Sequence, residues 1–220
     1  VPSGFTPEAY VVKRLHATAG DGAEVPITLV HHVDTPIDGS APCLLHGYGA
    51  YGISEAAAFA SSRFSLIDRG FVHAIAHVRG GKECGYRWYA NGKLEHKPNT
   101  FSDFIAVAEH LADAGYTHRG AIVPHGGSAG GMLVGAVLNQ RPDLWGAAIA
   151  DVPFVDVLNT MMDETLPLTP PEWPEWGNPR DDAQAFETIR SYCPYQNVSA
   201  QDYPPTLVIA GVSDPRVTYW

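Results

Sequence analysis

The chain has 220 residues, 45% of them apolar and 17% charged, with a formal net charge of −10. Those proportions belong to a soluble globular enzyme of one large domain with a sizeable core. They exclude a membrane-spanning helix, since no apolar run approaches the roughly 18 residues one needs, and they disfavour nucleic acid, whose phosphates call for Lys and Arg. An acidic surface remains compatible with a cationic substrate.

Cys43, Cys84 and Cys193 are odd in number and widely spaced, so neither a disulfide framework nor a zinc site is expected. No cofactor or metal is expected, and a reducing, cytoplasmic setting fits best. The chain opens on Val1-Pro2-Ser3, with no initiator Met and no signal-peptide pattern. It is therefore expected to be a piece of a longer polypeptide.

Residues 6–19 and 24–33 read as two β-rich strands joined at the hairpin signal Gly20-Asp21-Gly22. A polar loop leads to a short buried strand, Cys43 to His46, which ends in the glycine-rich loop Gly47-Tyr48-Gly49-Ala50-Tyr51-Gly52. The pattern then predicts a helix over 56–69 closed by Gly70, a strand over 71–78, and an amphipathic helix over 99–115 carrying Phe104, Val107 and Leu111. A strand from Ala121 and a helix over 129–140 follow, then a strand over 144–152. An insertion or cap loop is expected over 165–180, a helix over 183–192 and a last strand over 206–211. Strands alternating with helices predict an α/β fold, with a mostly parallel, doubly wound sheet covered on both faces.

The junction Gly126-Gly127-Ser128-Ala129-Gly130 has the G-x-S-x-G spacing of a nucleophile elbow, between a strand and a helix as that motif requires. Ser128 is the candidate nucleophile, and the Ala129 N–H is the adjacent oxyanion donor. The bland alternative is a glycine-rich turn that happens to hold a serine. Asp214, just past the last strand, is the candidate acid that would orient a histidine base, or else an ordinary turn carboxylate. In this fold the base follows the acid in the chain. Here all ten histidines lie between His16 and His125. The general base, with the strand and helix that carry it, is therefore expected to be missing. His125 leads into the elbow, but its side chain should point into a face of the sheet.

Several stretches together resemble the catalytic domain of the prolyl oligopeptidase family of serine peptidases, and within it the oligopeptidase B branch. They include Gly47-Tyr48-Gly49-Ala50-Tyr51-Gly52, Asp68-Arg69-Gly70-Phe71-Val72, His77-Val78-Arg79-Gly80-Gly81 and Gly126-Gly127-Ser128-Ala129-Gly130-Gly131. Asn139-Gln140-Arg141-Pro142 and Val152-Pro153-Phe154-Val155-Asp156-Val157 belong with them, and Glu175-Trp176-Gly177-Asn178-Pro179 points to the B branch. The resemblance implies an α/β-hydrolase peptidase domain over 1–220, joined in the whole protein to an N-terminal β-propeller that limits access to short peptides. Val1 to Tyr10 would be the return from that propeller.

It also implies residue roles. Ser128 would be the nucleophile and Asp214 the acid. Tyr48 would join Ala129 in the oxyanion hole, and Arg216 would hold a substrate carbonyl. Glu172 would be the anion that selects Lys or Arg in the first specificity pocket; Pro174 stands where some relatives have a second glutamate, with Glu175 a possible substitute. Two acidic positions of the second pocket fall on Ala56 and Ala58, which puts a paired-basic preference in doubt. The implied substrates are short peptides with basic residues, and no nucleic acid or membrane is an expected partner. A carboxylesterase or acylaminoacyl peptidase on the same fold is the alternative, and a non-catalytic binding module a further one.

Overall fold

The computed structural model of the chain describes residues 5–219; residues 1–4, where the Val1 to Tyr10 segment begins, and Trp220 lie outside them. The expected hairpin joins strands β1 (Tyr10–Thr18) and β2 (Glu24–His32), which pair antiparallel along their full length. Residues 7–9, expected as strand, form a short 3-10 turn instead, because Pro7 has no N–H to give a ladder. The remaining strands are β3 (Cys43–His46), β4 (Val72–Ala76), β5 (Ile122–Gly127), β6 (Ala148–Asp151) and β7 (Thr206–Ile209). The sheet runs β1-β2-β4-β3-β5-β6-β7; β4 pairs antiparallel with β2, and the pairings from β4 to β7 are parallel.

Helix α3 (Pro98–Asp113) starts with a proline, where a missing N–H costs nothing. It buries Phe101, Phe104, Val107, Ala108 and Leu111 along one stripe against β1, β2 and helix α4 (Ala129–Gln140). Helix α4 packs on β5 and β6 and is apolar nearly all round, as a core helix should be. Helix α1 (Ser61–Ile67) lies on the opposite side: its Phe64 and Ile67 share a cavity of about 280 Å³ with Val30, His73 and Ile75. Beyond α1 that second face is only half-buried. It carries His46, Val123, His125 and Asp151, and β7 is exposed along its length.

Three further expectations need correction. The helix expected over 56–69 begins only at Ser61. The Ala56–Ala58 run favours helix, but the Glu55 N–H donates to Glu83 (2.8 Å) and its carboxylate contacts His46 (3.1 Å), holding the segment out of a helical path. The strand expected over 144–152 is confined to Ala148–Asp151, because Pro142–Leu144 form a 3-10 turn. The segment over 165–180 is not only loop: it contains helix α6 (Thr169–Trp176), with Pro170 and Pro171 in its first turn, where prolines are tolerated. Two short helices, α2 (Tyr86–Ala90) and α5 (Val157–Met162), have no sequence signal above, and α7 (Ala183–Tyr192) spans the expected residues.

Arg79 ties the layers together. Its guanidinium bonds both oxygens of Asp103 on α3, and its backbone N–H donates to the same carboxylate at 2.9 Å. Asp21 from the β1–β2 hairpin takes the other edge of the guanidinium. Asp103 is wholly buried and Arg79 nearly so. Removing Asp103 leaves only the half-exposed Asp21 to balance the buried guanidinium. Asp103→Ala should lower the unfolding free energy by about 3–5 kcal/mol, read as a lower urea midpoint at unchanged m-value.

Candidate active site

Strand β5 must turn into α4 within one residue, and Ser128 makes that turn at φ 55°, ψ −114°. This left-handed conformation is strained for a residue with a Cβ. It survives because its backbone is held on both sides: Ser128 N–H donates to Asp151 O at 2.8 Å, and Ser128 O accepts from Phe154 and Met132 N–H at 3.1 Å. The neighbouring glycines are sterically required. A Cβ on Gly126 would lie 2.4 Å from Gly130 O, and one on Gly130 would lie 2.6 Å from Gly47 O. The elbow therefore touches the β3 loop backbone to backbone, and that contact brings Tyr48 to Ser128.

The Tyr48 hydroxyl stands beside the Ser128 side chain. Burial, then the carboxylates of Glu172, Glu55 and Glu175, raise its pKa against the opposing influence of Ser128, so the phenol stays protonated and able to donate. Ala129 is the first residue of α4, where a helix leaves its N–H without an intrahelical partner.

Glu172 and Glu175 stand four and one residues before the end of α6 and use their charges differently. The half-buried Glu172 accepts through Oε2 from the Tyr51 hydroxyl (2.8 Å) and from Trp176 Nε1 (2.9 Å). Glu175 is buried and has both oxygens engaged, one by Tyr51 N–H (2.7 Å) and one by the Tyr89 hydroxyl (2.6 Å). Burial and these carboxylates push the Tyr51 and Tyr89 phenols up. Tyr51 and Tyr89 had no role in the sequence reading. Tyr51 belonged to the glycine-loop motif, whereas nothing about Tyr89 in sequence placed it here.

Asp214 follows β7, two strands over from β5. Its Oδ1 accepts from Val217 N–H (3.0 Å) and Arg216 N–H (2.8 Å), and these bonds lower its pKa. Arg216 is exposed. Ala56 and Ala58 lie in the extended segment before α1.

Among the described residues no histidine ring is hydrogen-bonded to Ser128. His125 points into the sheet face, as expected, where Nε2 meets Asp151 Oδ2 at 2.9 Å and Nδ1 meets His46 Nδ1 at 3.3 Å. The Nε2 of His46 in turn faces Glu55 at 3.1 Å. The result is a Glu55–His46–His125–Asp151 chain across β3, β5 and β6, and bonding between the two Nδ1 atoms requires a proton on one of them. No cluster of three or more metal-ligating side chains occurs among the described residues, and all three cysteines are free.

A strained serine elbow on a mostly parallel sheet, with the glycine-rich Gly47–Gly52 loop one strand away, defines an α/β-hydrolase fold. The sequence pattern of the prolyl oligopeptidase family matches residues 57–220, and the chain belongs to that family. It is 45% identical over 99% of its length to dipeptidyl aminopeptidase BI of Pseudoxanthomonas mexicana. Protease 2 of Moraxella lacunata is 46% identical over 94% of the chain. Oligopeptidase B from Leishmania major superposes over the whole chain with a TM-score of 0.97 at 48% identity. Oligopeptidase B from Trypanosoma brucei with covalently bound antipain, in a closed form, does so with a TM-score of 0.97 at 51% identity. The chain spans 30% of the length of the first three and 31% of the last.

The strain at Ser128 has a measurable consequence. Ser128→Gly should raise stability by about 1 kcal/mol, the relief of a strained left-handed residue less the entropy of glycine. Ser128→Ala keeps the strain and should leave the denaturation midpoint unchanged.

Proposed function

We propose that the chain is the peptidase domain of a serine endopeptidase that cleaves short peptides on the carboxyl side of Lys or Arg. Ser128 Oγ attacks the carbonyl carbon, and the developing oxyanion is held by the Ala129 N–H and the Tyr48 hydroxyl. A single such donor is worth about 3–4 kcal/mol in the transition state. Collapse expels the amine and leaves an acyl-enzyme on Ser128, which water hydrolyses by the reverse sequence of proton transfers. Ser128 needs a base to take its proton, and His125 is committed to Asp151. We therefore assign the base to a histidine outside these 220 residues, oriented by Asp214. The 220 residues alone are then inactive.

The observation that carries the basic preference is the half-buried Glu172 carboxylate, fixed by Tyr51 of the loop that supplies Tyr48 and by Trp176 of its own helix. Its charge acts on the Tyr48 phenol beside Ser128, as do those of Glu55 and Glu175. A negative field of this kind suits an Arg or Lys side chain and is of no use to an ester with an apolar acyl group. Glu175 supports the pocket from below, since both its oxygens are taken by Tyr51 and Tyr89. Arg216 is assigned to a substrate carbonyl. Ala56 and Ala58 offer no second anionic subsite, so a single basic residue suffices. An N-terminal β-propeller in the whole protein would restrict access to short peptides, and free thiols at Cys43, Cys84 and Cys193 suit a reducing, cytoplasmic setting.

The test uses the protein at its natural length and chromogenic peptides ending in Arg, Lys, Pro or Leu. Arg and Lys substrates should be preferred by at least about 100-fold in kcat/KM, and Glu172→Gln should remove most of that preference while leaving the Leu substrate nearly unchanged. Equal rates on Arg and Pro substrates would refute the assignment, and an ester-only activity would favour the esterase alternative.

A further inference from the structure

Lys97, which immediately precedes α3, is completely buried. Its Nζ donates to the carbonyl oxygen of Gly49 and lies 3.4 Å from that of Gly92. The rings of Trp176 and Phe101 flank it, with centroids 5.2 and 5.8 Å away. Among the described residues it makes no salt bridge to a carboxylate. Burying an ammonium in this way is expensive, and a space-filling role would be met better by methionine. What the ammonium does is hold backbone carbonyls, that of Gly92 at the longer distance and, most closely, that of Gly49.

That carbonyl belongs to the oxyanion loop. Two residues further on, the buried Glu175 carboxylate takes the N–H of Tyr51. A cation thus grips a C=O and an anion grips an N–H within three consecutive residues, and in each case the charge matches the backbone group it faces. Gly49 and Tyr51 both have left-handed φ, 72° and 58°, so the loop has a path that outside contacts must maintain. Tyr48 is the residue immediately before this clamp. Gly80, whose Cβ would lie 2.0 Å from Gly49 O, packs against the same carbonyl.

We propose that Lys97 is a positioning residue of the oxyanion hole: by holding the Gly49 carbonyl, opposite Glu175 at Tyr51, it sets where the Tyr48 hydroxyl stands relative to Ser128. This rests on the reading of Tyr48 as an oxyanion donor. Burial draws the Lys97 ammonium down to about 7, with Glu175 opposing. The other ionisable groups around it are Tyr89 on α2 and Glu172 on α6, bonded to Glu175 and to Tyr51 respectively, Tyr192 on α7 beside Phe101, and the mutually paired Arg79 and Asp103. The positioning charge is present below neutral pH and lost as pH rises through that value.

The decisive experiment is a double-mutant cycle in the protein at its natural length, using Lys97→Met, Tyr48→Phe and the double variant. Each is measured for thermal midpoint, for kcat and KM on an Arg-linked amide, and for affinity toward a peptide aldehyde, whose adduct with Ser128 needs the oxyanion hole. Lys97→Met should lower kcat by roughly 30-fold or more and weaken the aldehyde in parallel, with KM changed by less than about 3-fold. In the Tyr48→Phe background the same substitution should cost less than about 3-fold, because the group it positions is gone. A folded Lys97→Met with nearly normal kcat, or with equal losses in both backgrounds, would overturn the proposal. An unchanged kcat in Tyr48→Phe alone would instead refute the oxyanion reading on which it rests. If Lys97→Met does not fold, the wild-type advantage over Tyr48→Phe in aldehyde affinity decides. That ratio should shrink between about pH 6 and pH 8.5 as the lysine deprotonates, and a constant ratio would overturn the proposal.

Discussion

The contact on which the site depends is between backbones. The elbow after β5 and the loop after β3 approach so closely that neither Gly126 nor Gly130 has room for a methyl group, and the atom in the way is in both cases a main-chain oxygen. Backbone cannot swing aside as a flexible side chain can. The approach lets Ser128 occupy a strained turn and places Tyr48 beside it. Parallel pairing of β5 with β3 and β6 sets the two loops on one edge of the sheet, which is where open α/β sheets bind ligands.

Around this edge, charge is distributed with a consistent sign. Glu172, Glu55 and Glu175 all act on the Tyr48 phenol in the same direction. The Tyr48 phenol is thereby kept protonated and able to donate. The carboxylates are held by hydrogen bonds from Tyr51, Trp176, Tyr89 and His46. The energetic penalty of partial burial is thereby offset by charge-assisted bonds. Tyr48 and the carboxylates that act on it thus share one piece of scaffolding, the Gly47–Gly52 loop and the helix α6 beneath it.

Much of this was legible in the order of residues. The strand–Gly-x-Ser-x-Gly–helix junction was legible as a sharp turn at Ser128, because the flanking glycines leave room for it. The stripe of Phe104, Val107 and Leu111 identified the face of α3. What local pattern could not reveal were the effects of distant groups. The alanine-rich stretch after Glu55 reads as helix, but bonds to Glu83 and His46 draw it out. Glu172 and Glu175 look equivalent on paper, three residues apart, yet one faces the pocket loop and the other is sunk beneath it. Lys97 carries no signal at all, since a lysine before a proline reads as a solvated turn.

The sequence by itself determined the α/β alternation and the glycine-flanked elbow at Ser128, both of which depend on local spacing and chain order. Only the tertiary structure decided which carboxylate is an anchor and which is available, that His125 serves Asp151, and that a buried lysine holds the loop carrying Tyr48. Those assignments depend on which side chains from separate strands and helices meet in space. Burial and partner, not residue type, then determine what each charge can do.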